Sequence, residues 1–199
     1  MKKLLIFILL LVVGFGGIQI VRGSSPSGEV NKQPATAQQV ETTTNGSPVP
    51  TVASPQTFSI PKIHVTATVE SVGMDQEGRM DVPSNADNVA WYNLGFRPGA
   101  KGSAVFAGHY DKESGDPAVF WDIKQLAKGD EVVVADASGK TYTYAVVRTA
   151  QYPYNEFPLQ EVFGQSEKAM LNLITCQGNW DDNKQNYSHR MVVYTELQE

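Results

Sequence analysis

The chain has 199 residues, of which 41% are hydrophobic and 10% aromatic, enough for one well-buried core and short for two. Its 16 basic and 21 acidic residues give a formal charge of -5 with no basic cluster of the kind that tracks a phosphate backbone, so nucleic acid is not an expected partner. The single cysteine, Cys176, cannot close an intramolecular disulfide, and with the three histidines it matches no zinc spacing.

The N-terminus opens with Lys2 and Lys3 and then runs from Leu4 to Val21 without a charge. Eighteen helical residues span roughly 27 Å, close to a hydrocarbon core of about 30 Å. A cleaved signal peptide would have a shorter apolar region and an A-x-A-like exit, so residues 1–21 read as an uncleaved transmembrane anchor in preference to a signal peptide. The two lysines favour a cytoplasmic N-terminus, which would leave the remainder outside a cell membrane crossed once. Residues 22–56 are rich in Ser, Thr, Pro, Gln and Gly and hold no aromatic residue. Such a segment buries too little apolar area to offset its ordering entropy, and it is expected to be a disordered tether.

From Thr57 to Glu199 the pattern is that of an all-β domain. The runs HVTATVESVG, SAVFAGHY, EVVVADASG, TYTYAVVRTA, LNLITC and HRMVVYTEL are dense in Val, Thr, Tyr and Ile and are bounded by turn residues. EVVVADASGKTYTYAVV reads as a hairpin about Ala137, Ser138 and Gly139. Only PAVFWDIKQL and PLQEVFGQSE look helical, and both are short. Several short strands in one domain of this size indicate a barrel or a sandwich.

Three residues at strand ends have complementary chemistry. Cys176 ends an apolar strand and precedes the polar, turn-forming run QGNWDDNKQNYSH; in isolation it reads as buried filler. By alternation Leu171, Leu173 and Thr175 share one face, and Asn172, Ile174 and Cys176 the other. His109 closes SAVFAGHY and Arg190 opens RMVVYTEL, with His189 on the face opposite Arg190; each alone is equally a surface residue. Together they form a set. A thiol needs a basic or cationic neighbour to attack a carbonyl, and the resulting oxyanion needs donors already aimed at it. His109 suits the first task and the always-charged Arg190 the second. Asp111, Glu113 and Asp116 read as a solvated turn rather than a calcium site, and His64 as structural. No metal or cofactor is expected.

The histidine of AGHYD, the cysteine of LITC and the arginine opening the last strand, in that order, resemble the sortases, membrane-anchored cysteine transpeptidases of Gram-positive bacteria. LITC is similar to the family's TLxTC signature, with Asn172 where threonine is usual; IPKI and WYNLG...PG are further landmarks, and the likeness spans 57–199. The run GHYDKESGDPAVFWDIKQLAKGD is most similar to classes D and F. The resemblance implies an eight-stranded β-barrel with one or two short helices. It also implies cleavage of an LPXTG-like sorting signal at Thr-Gly through a thioacyl enzyme, then transfer to a peptidoglycan cross-bridge amine or a pilin lysine. By the same resemblance Cys176 is the nucleophile, His109 the general acid and base, and Arg190 the oxyanion or substrate-positioning donor. Thr175 assists near the oxyanion or substrate, unless it is an ordinary β-branched strand residue. The aromatics and prolines of 151–170 either line the substrate groove or cover the core. Two alternatives remain at this point: a sortase-fold binding or accessory protein of weak turnover, and a hydrolytic cysteine peptidase.

Overall fold

Residues 53–199 are described by a computed structural model; the expected anchor and all but the end of the expected tether lie outside the described residues. Eight strands and one helix follow in order: β1 Pro55–Ile60, β2 Val65–Val72, β3 Val89–Tyr92, β4 Gly102–Ala107, β5 Glu131–Asp136, β6 Thr141–Pro153, α1 Leu159–Phe163, β7 Ala169–Asp181 and β8 Asn186–Leu197. They close into a barrel in the order β1-β2-β3-β4-β7-β8-β6-β5. Among the described residues no helix is long and apolar enough to cross a membrane.

Alternation decides which side chains face the interior. In β5 Val132 and Val134 are fully buried while their neighbours are not, and in β6 Tyr142, Tyr144 and Val146 repeat the pattern. The turn between these strands is held by Asp136, whose carboxylate accepts hydrogen bonds from Ser138 and Lys140, with Gly139 at a φ of 86°. Phe58, Trp91, Phe106, Phe120, Leu171 and Leu173 fill the barrel, with Phe58 stacked on Phe106 at 5.6 Å. Each such side chain contributes about 1.5–3 kcal/mol by leaving water. A second cluster, Val105, Val162, Val192 and Tyr194 with Ile174 against it, lies on the other face of β4, β7 and β8 and is covered by α1.

Three expectations are corrected. PAVFWDIKQL is not an α-helix; only Ile123–Gln125 forms a single 3-10 turn. The N–H groups of Ala118, Val119 and Phe120 donate to Tyr110, Ala86 and His109, and those of Trp121, Ile123, Gln125 and Leu126 close turns onto the residue three before, so no i→i−4 ladder is made. Of PLQEVFGQSE only Leu159–Phe163 is helical. The polar run after Cys176 is not a loop: β7 continues to Asp181 and β8 begins at Asn186, making a long hairpin with a bulge between Gln177 and Trp180 and Gly178 at a φ of 90°. Two smaller differences concern the domain's start. β1 begins at Pro55, two residues before Thr57, and IPKI ends that strand in a 3-10 turn over Pro61–Ile63, with His64 in the left-handed region at a φ of 54°.

Candidate active site

The barrel sets the end of β4 beside the middle of β7, and β7 beside β8. β4 runs parallel to β7 with Ala107 opposite Ile174, a register that carries His109 toward Cys176 two residues on. β7 runs antiparallel to β8 with Cys176 directly opposite Arg190 and Gln177 opposite His189. Cys176 therefore lies between the segment just beyond β4 that holds His109 and Arg190 within β8. His189 is turned aside as alternation requires, its Nδ1 2.8 Å from the Ser188 hydroxyl.

Two bonds fix the β4–β7 junction at this point. The Gly108 N–H donates to the Ile174 carbonyl at 3.1 Å, and the Thr175 hydroxyl donates to the Gly108 carbonyl at 2.8 Å. Thr175, expected near the oxyanion or substrate, is buried on the interior face and its Oγ1 is engaged by the residue preceding His109. Gly108 is required by close packing: a Cβ there would lie 2.5 Å from the Phe120 ring and 2.8 Å from Val119 Cγ1.

The half-buried His109 has its Nε2 2.9 Å from the Pro83 carbonyl. A carbonyl only accepts, so Nε2 carries the hydrogen and Nδ1 is the nitrogen left for proton exchange. The Arg190 guanidinium donates to the Tyr187 and His189 carbonyls at 3.3 and 2.9 Å and to Asn186 Oδ1 at 2.7 Å. Those three bonds fix the side chain and leave further donors of its five. Cys176 is half-buried, and its thiol is held above the usual range chiefly by burial; Arg190 pulls it down and Asp111 pushes it up. Burial thus favours the neutral thiol.

The hairpin beyond Cys176 is tied to the His109 segment. Tyr187 donates to the Asp111 carboxylate and packs edge-on between Tyr110 at 5.6 Å and Trp180 at 5.2 Å. Burial and the Asp111 bond drive the Tyr187 hydroxyl well above its ordinary pKa, so it stays a donor. In the segment 151–170, Tyr152, Phe157 and Phe163 pack edge-on in sequence at 6.1 and 6.5 Å over the outer cluster that includes Ile174. Beneath α1 a cleft of about 290 Å³ is lined by Arg148, Glu161, Asn172 and Tyr194 among others. Asn172 donates to the Val162 carbonyl at 2.7 Å, while its Oδ1 is buried without a partner. Among the described residues no group of His, Cys, Asp and Glu side chains is placed to hold a metal ion.

Sequence reasoning missed Pro83, Asp111, Asn186 and Tyr187 as parts of this site. Pro83 acts through its carbonyl, 26 residues from His109, and no side-chain pattern marks it. Asn186 and Tyr187 were concealed by reading a polar strand as a loop.

A closed barrel that pairs a thiol on β7 with a guanidinium on β8, with an imidazole just beyond the end of the adjacent β4, holds groups of the kinds that thiol-dependent acyl transfer uses. The family model of the sortase domain matches residues 58–198, and the chain belongs to the sortase family, whose fold is that of membrane-associated transpeptidases. No curated protein matches it. Among solved structures, sortase C-1 of Actinomyces oris is similar at 23% identity with a TM-score of 0.58, over 72% of this chain and 73% of that one. Sortase A of Listeria monocytogenes is 22% identical with a TM-score of 0.55, over 74% and 88%. A sortase D5 transpeptidase of Clostridium perfringens is 17% identical with a TM-score of 0.55, over 73% and 79%. The eight-stranded barrel and short helix expected from the sequence are present.

Proposed function

We propose that the chain is a cysteine transpeptidase that cleaves an LPXTG-like sorting signal between Thr and Gly and passes the threonyl acyl group to an amine. The observation that carries the reading is that Cys176 pairs with Arg190 of β8 on one side and, on the other, lies beside the segment that leads from β4 into His109. Cys176 Sγ passes its proton to His109 Nδ1 and attacks the threonine carbonyl carbon. The carbonyl π electrons move to oxygen, and Arg190 donates to that oxyanion. As the tetrahedral intermediate collapses, the C–N bond breaks, His109 Nδ1 delivers a proton to the glycine amine, and a thioester remains on Cys176. An acceptor amine then attacks the thioester while His109 Nδ1 removes its proton; the C–S bond breaks and the departing Cys176 sulfur takes that proton back, so one imidazole serves both half-reactions by microscopic reversibility. Thr175 assists by fixing the Gly108 carbonyl, and with it the start of the His109 segment.

The substrates on this reading are secreted proteins with C-terminal sorting signals, and the acceptor is a peptidoglycan cross-bridge amine or a pilin lysine. The apolar segment 1–21 would anchor the protein in the cell membrane, with the catalytic domain outside and residues 22–56 as its tether. Within the family we place it nearest classes D and F, on the run from Gly108 to Asp130; the class A, C and D structures above have similar TM-scores and do not separate these subgroups. The test is to incubate the purified full chain with an LPXTG peptide and triglycine. A ligated Thr-triglycine product is expected. Hydrolysed peptide alone would identify a peptidase instead, and binding without cleavage an accessory protein.

A further inference from the structure

Between β2 and β3 lies a sixteen-residue connection, 73–88, whose last part reaches the candidate active site. Its Pro83 carbonyl accepts from His109 Nε2 at 2.9 Å. The orientation of the imidazole is thus only as good as the placement of this loop, and one side chain fixes it. Glu70, near the end of β2, accepts from the Ser84 N–H at 2.7 Å and the Ser84 hydroxyl at 2.8 Å on one oxygen. On the other oxygen it accepts from the Asn85 N–H at 3.2 Å and Asn88 Nδ2 at 2.8 Å. Each bond to an ionised carboxylate is roughly twice as strong as a neutral one, and the first pair grips the residue directly after Pro83.

Two further contacts join the loop to the segments around His109. Asp87 pairs with Lys112 at 2.8 Å, and the Ala86 carbonyl accepts from the Val119 N–H at 3.1 Å. Burial works against the charge on Glu70, but the Asn88, Ser84 and Asn85 donors together outweigh it and hold its pKa at about 2. The staple is permanently ionised near neutrality.

We propose that Glu70 is a positioning residue for His109: through Ser84 and Asn85 it holds the Pro83 carbonyl against Nε2 and so commits Nδ1 to the proton transfers. The proposal rests on the transpeptidase reading above, but its tautomer claim does not require turnover. Glu70→Gln is nearly isosteric and replaces one acceptor oxygen by an amide NH₂, so in either orientation two of the four donors face a donor. Asp75→Asn is the control, because Asp75 serves Glu77 and Arg79 in the same connection and makes none of these bonds.

The test uses the full chain labelled with ¹⁵N-histidine, with the His109 signals assigned by loss in His109→Gln, together with kcat and KM for peptide cleavage. The parent protein is expected to show the Nε2–H tautomer. Glu70→Gln is expected to show a mixture of tautomers and a kcat reduced about tenfold with KM little changed, the effect of a misplaced but present group. Asp75→Asn should leave both as in the parent. An Nδ1–H tautomer in the parent overturns the proposal. So does a Glu70→Gln protein whose tautomer is unaltered and whose activity falls only with its folded fraction. If Glu70→Gln does not fold, Ser84→Ala, which removes the hydroxyl donor alone, must shift the tautomer and kcat in the same direction to a smaller extent, and no shift refutes it. Absence of any cleavage by the parent protein would instead count against the transpeptidase reading, and the tautomer would still decide the role of Glu70.

Discussion

Replacing Thr175 by valine isolates the bond that joins β7 to the segment leading into His109. Valine matches threonine in shape, so the change removes a hydroxyl and opens no cavity of consequence. What is lost is the 2.8 Å donation to the Gly108 carbonyl, at a position only 3% exposed where water cannot readily replace it. Leaving a buried acceptor without its donor costs about 1–3 kcal/mol. A loss of about 2 kcal/mol lowers the melting temperature by about 4–8 °C in a domain of this size. Thr175→Ser keeps the hydroxyl and is expected to retain most of the stability. Because His109 directly follows Gly108, thioacyl formation should also fall, by about tenfold for a displacement of a fraction of an ångström to one ångström. Thermal denaturation and single-turnover acylation measure the two effects separately. A Thr175→Val protein that melts with the parent and acylates at the parent rate would show that this hydrogen bond neither stabilises the barrel nor positions the histidine.

Two other outcomes follow from the same geometry. Gly108→Ala drives a methyl group to 2.5 Å from the fully buried Phe120 ring, so urea denaturation should reveal a loss of about 1–3 kcal/mol from overpacking; a parental midpoint would mean that the ring moves freely. Alkylation of Cys176 by iodoacetamide as a function of pH reads its thiolate directly. Arg190 favours the thiolate and Asp111 opposes it, so Arg190→Gln should move the alkylation profile to higher pH and Asp111→Asn to lower pH. Shifts in the opposite directions would contradict the electrostatic assignment.

Much of the scaffold could be read from side-chain period. Alternation in Glu131–Asp136 and Thr141–Pro153 reflects a real inside and outside, and the turn at Ala137, Ser138 and Gly139 is where the chain reverses. Of the faces assigned to Leu171, Leu173 and Thr175 against Asn172, Ile174 and Cys176, the first is buried throughout and Ile174 and Cys176 are half-buried, while Asn172 is buried as well, bonded to the Val162 carbonyl. Pattern failed where tertiary bonds overrule local preference. The segment 117–126 has apolar residues and helix formers, yet its first residues pair with other segments and the rest closes only i→i−3 turns. The polar hairpin 177–189 has little hydrophobic signal because much of it is exposed; cross-strand pairing and the Trp180–Tyr187 contact keep it extended. Asn172 was legible as a departure from the signature but not as a buried strut to Val162 beneath α1, since its partner is a backbone carbonyl. Pro83 and Glu70 were invisible for the same reason: what matters at Pro83 is a carbonyl's position, set by folding and not by residue type.

The central claim is that Cys176 forms a thioester with the threonine of a sorting signal. Intact-mass measurement of the full chain after incubation with a pool of LPXTG-like peptides, followed by peptide mapping, tests it directly. The expected result is a covalent adduct on Cys176 that triglycine discharges and that Cys176→Ala does not form. Cleavage that continues unchanged in Cys176→Ala, or turnover by the parent with an adduct at another residue, would contradict it.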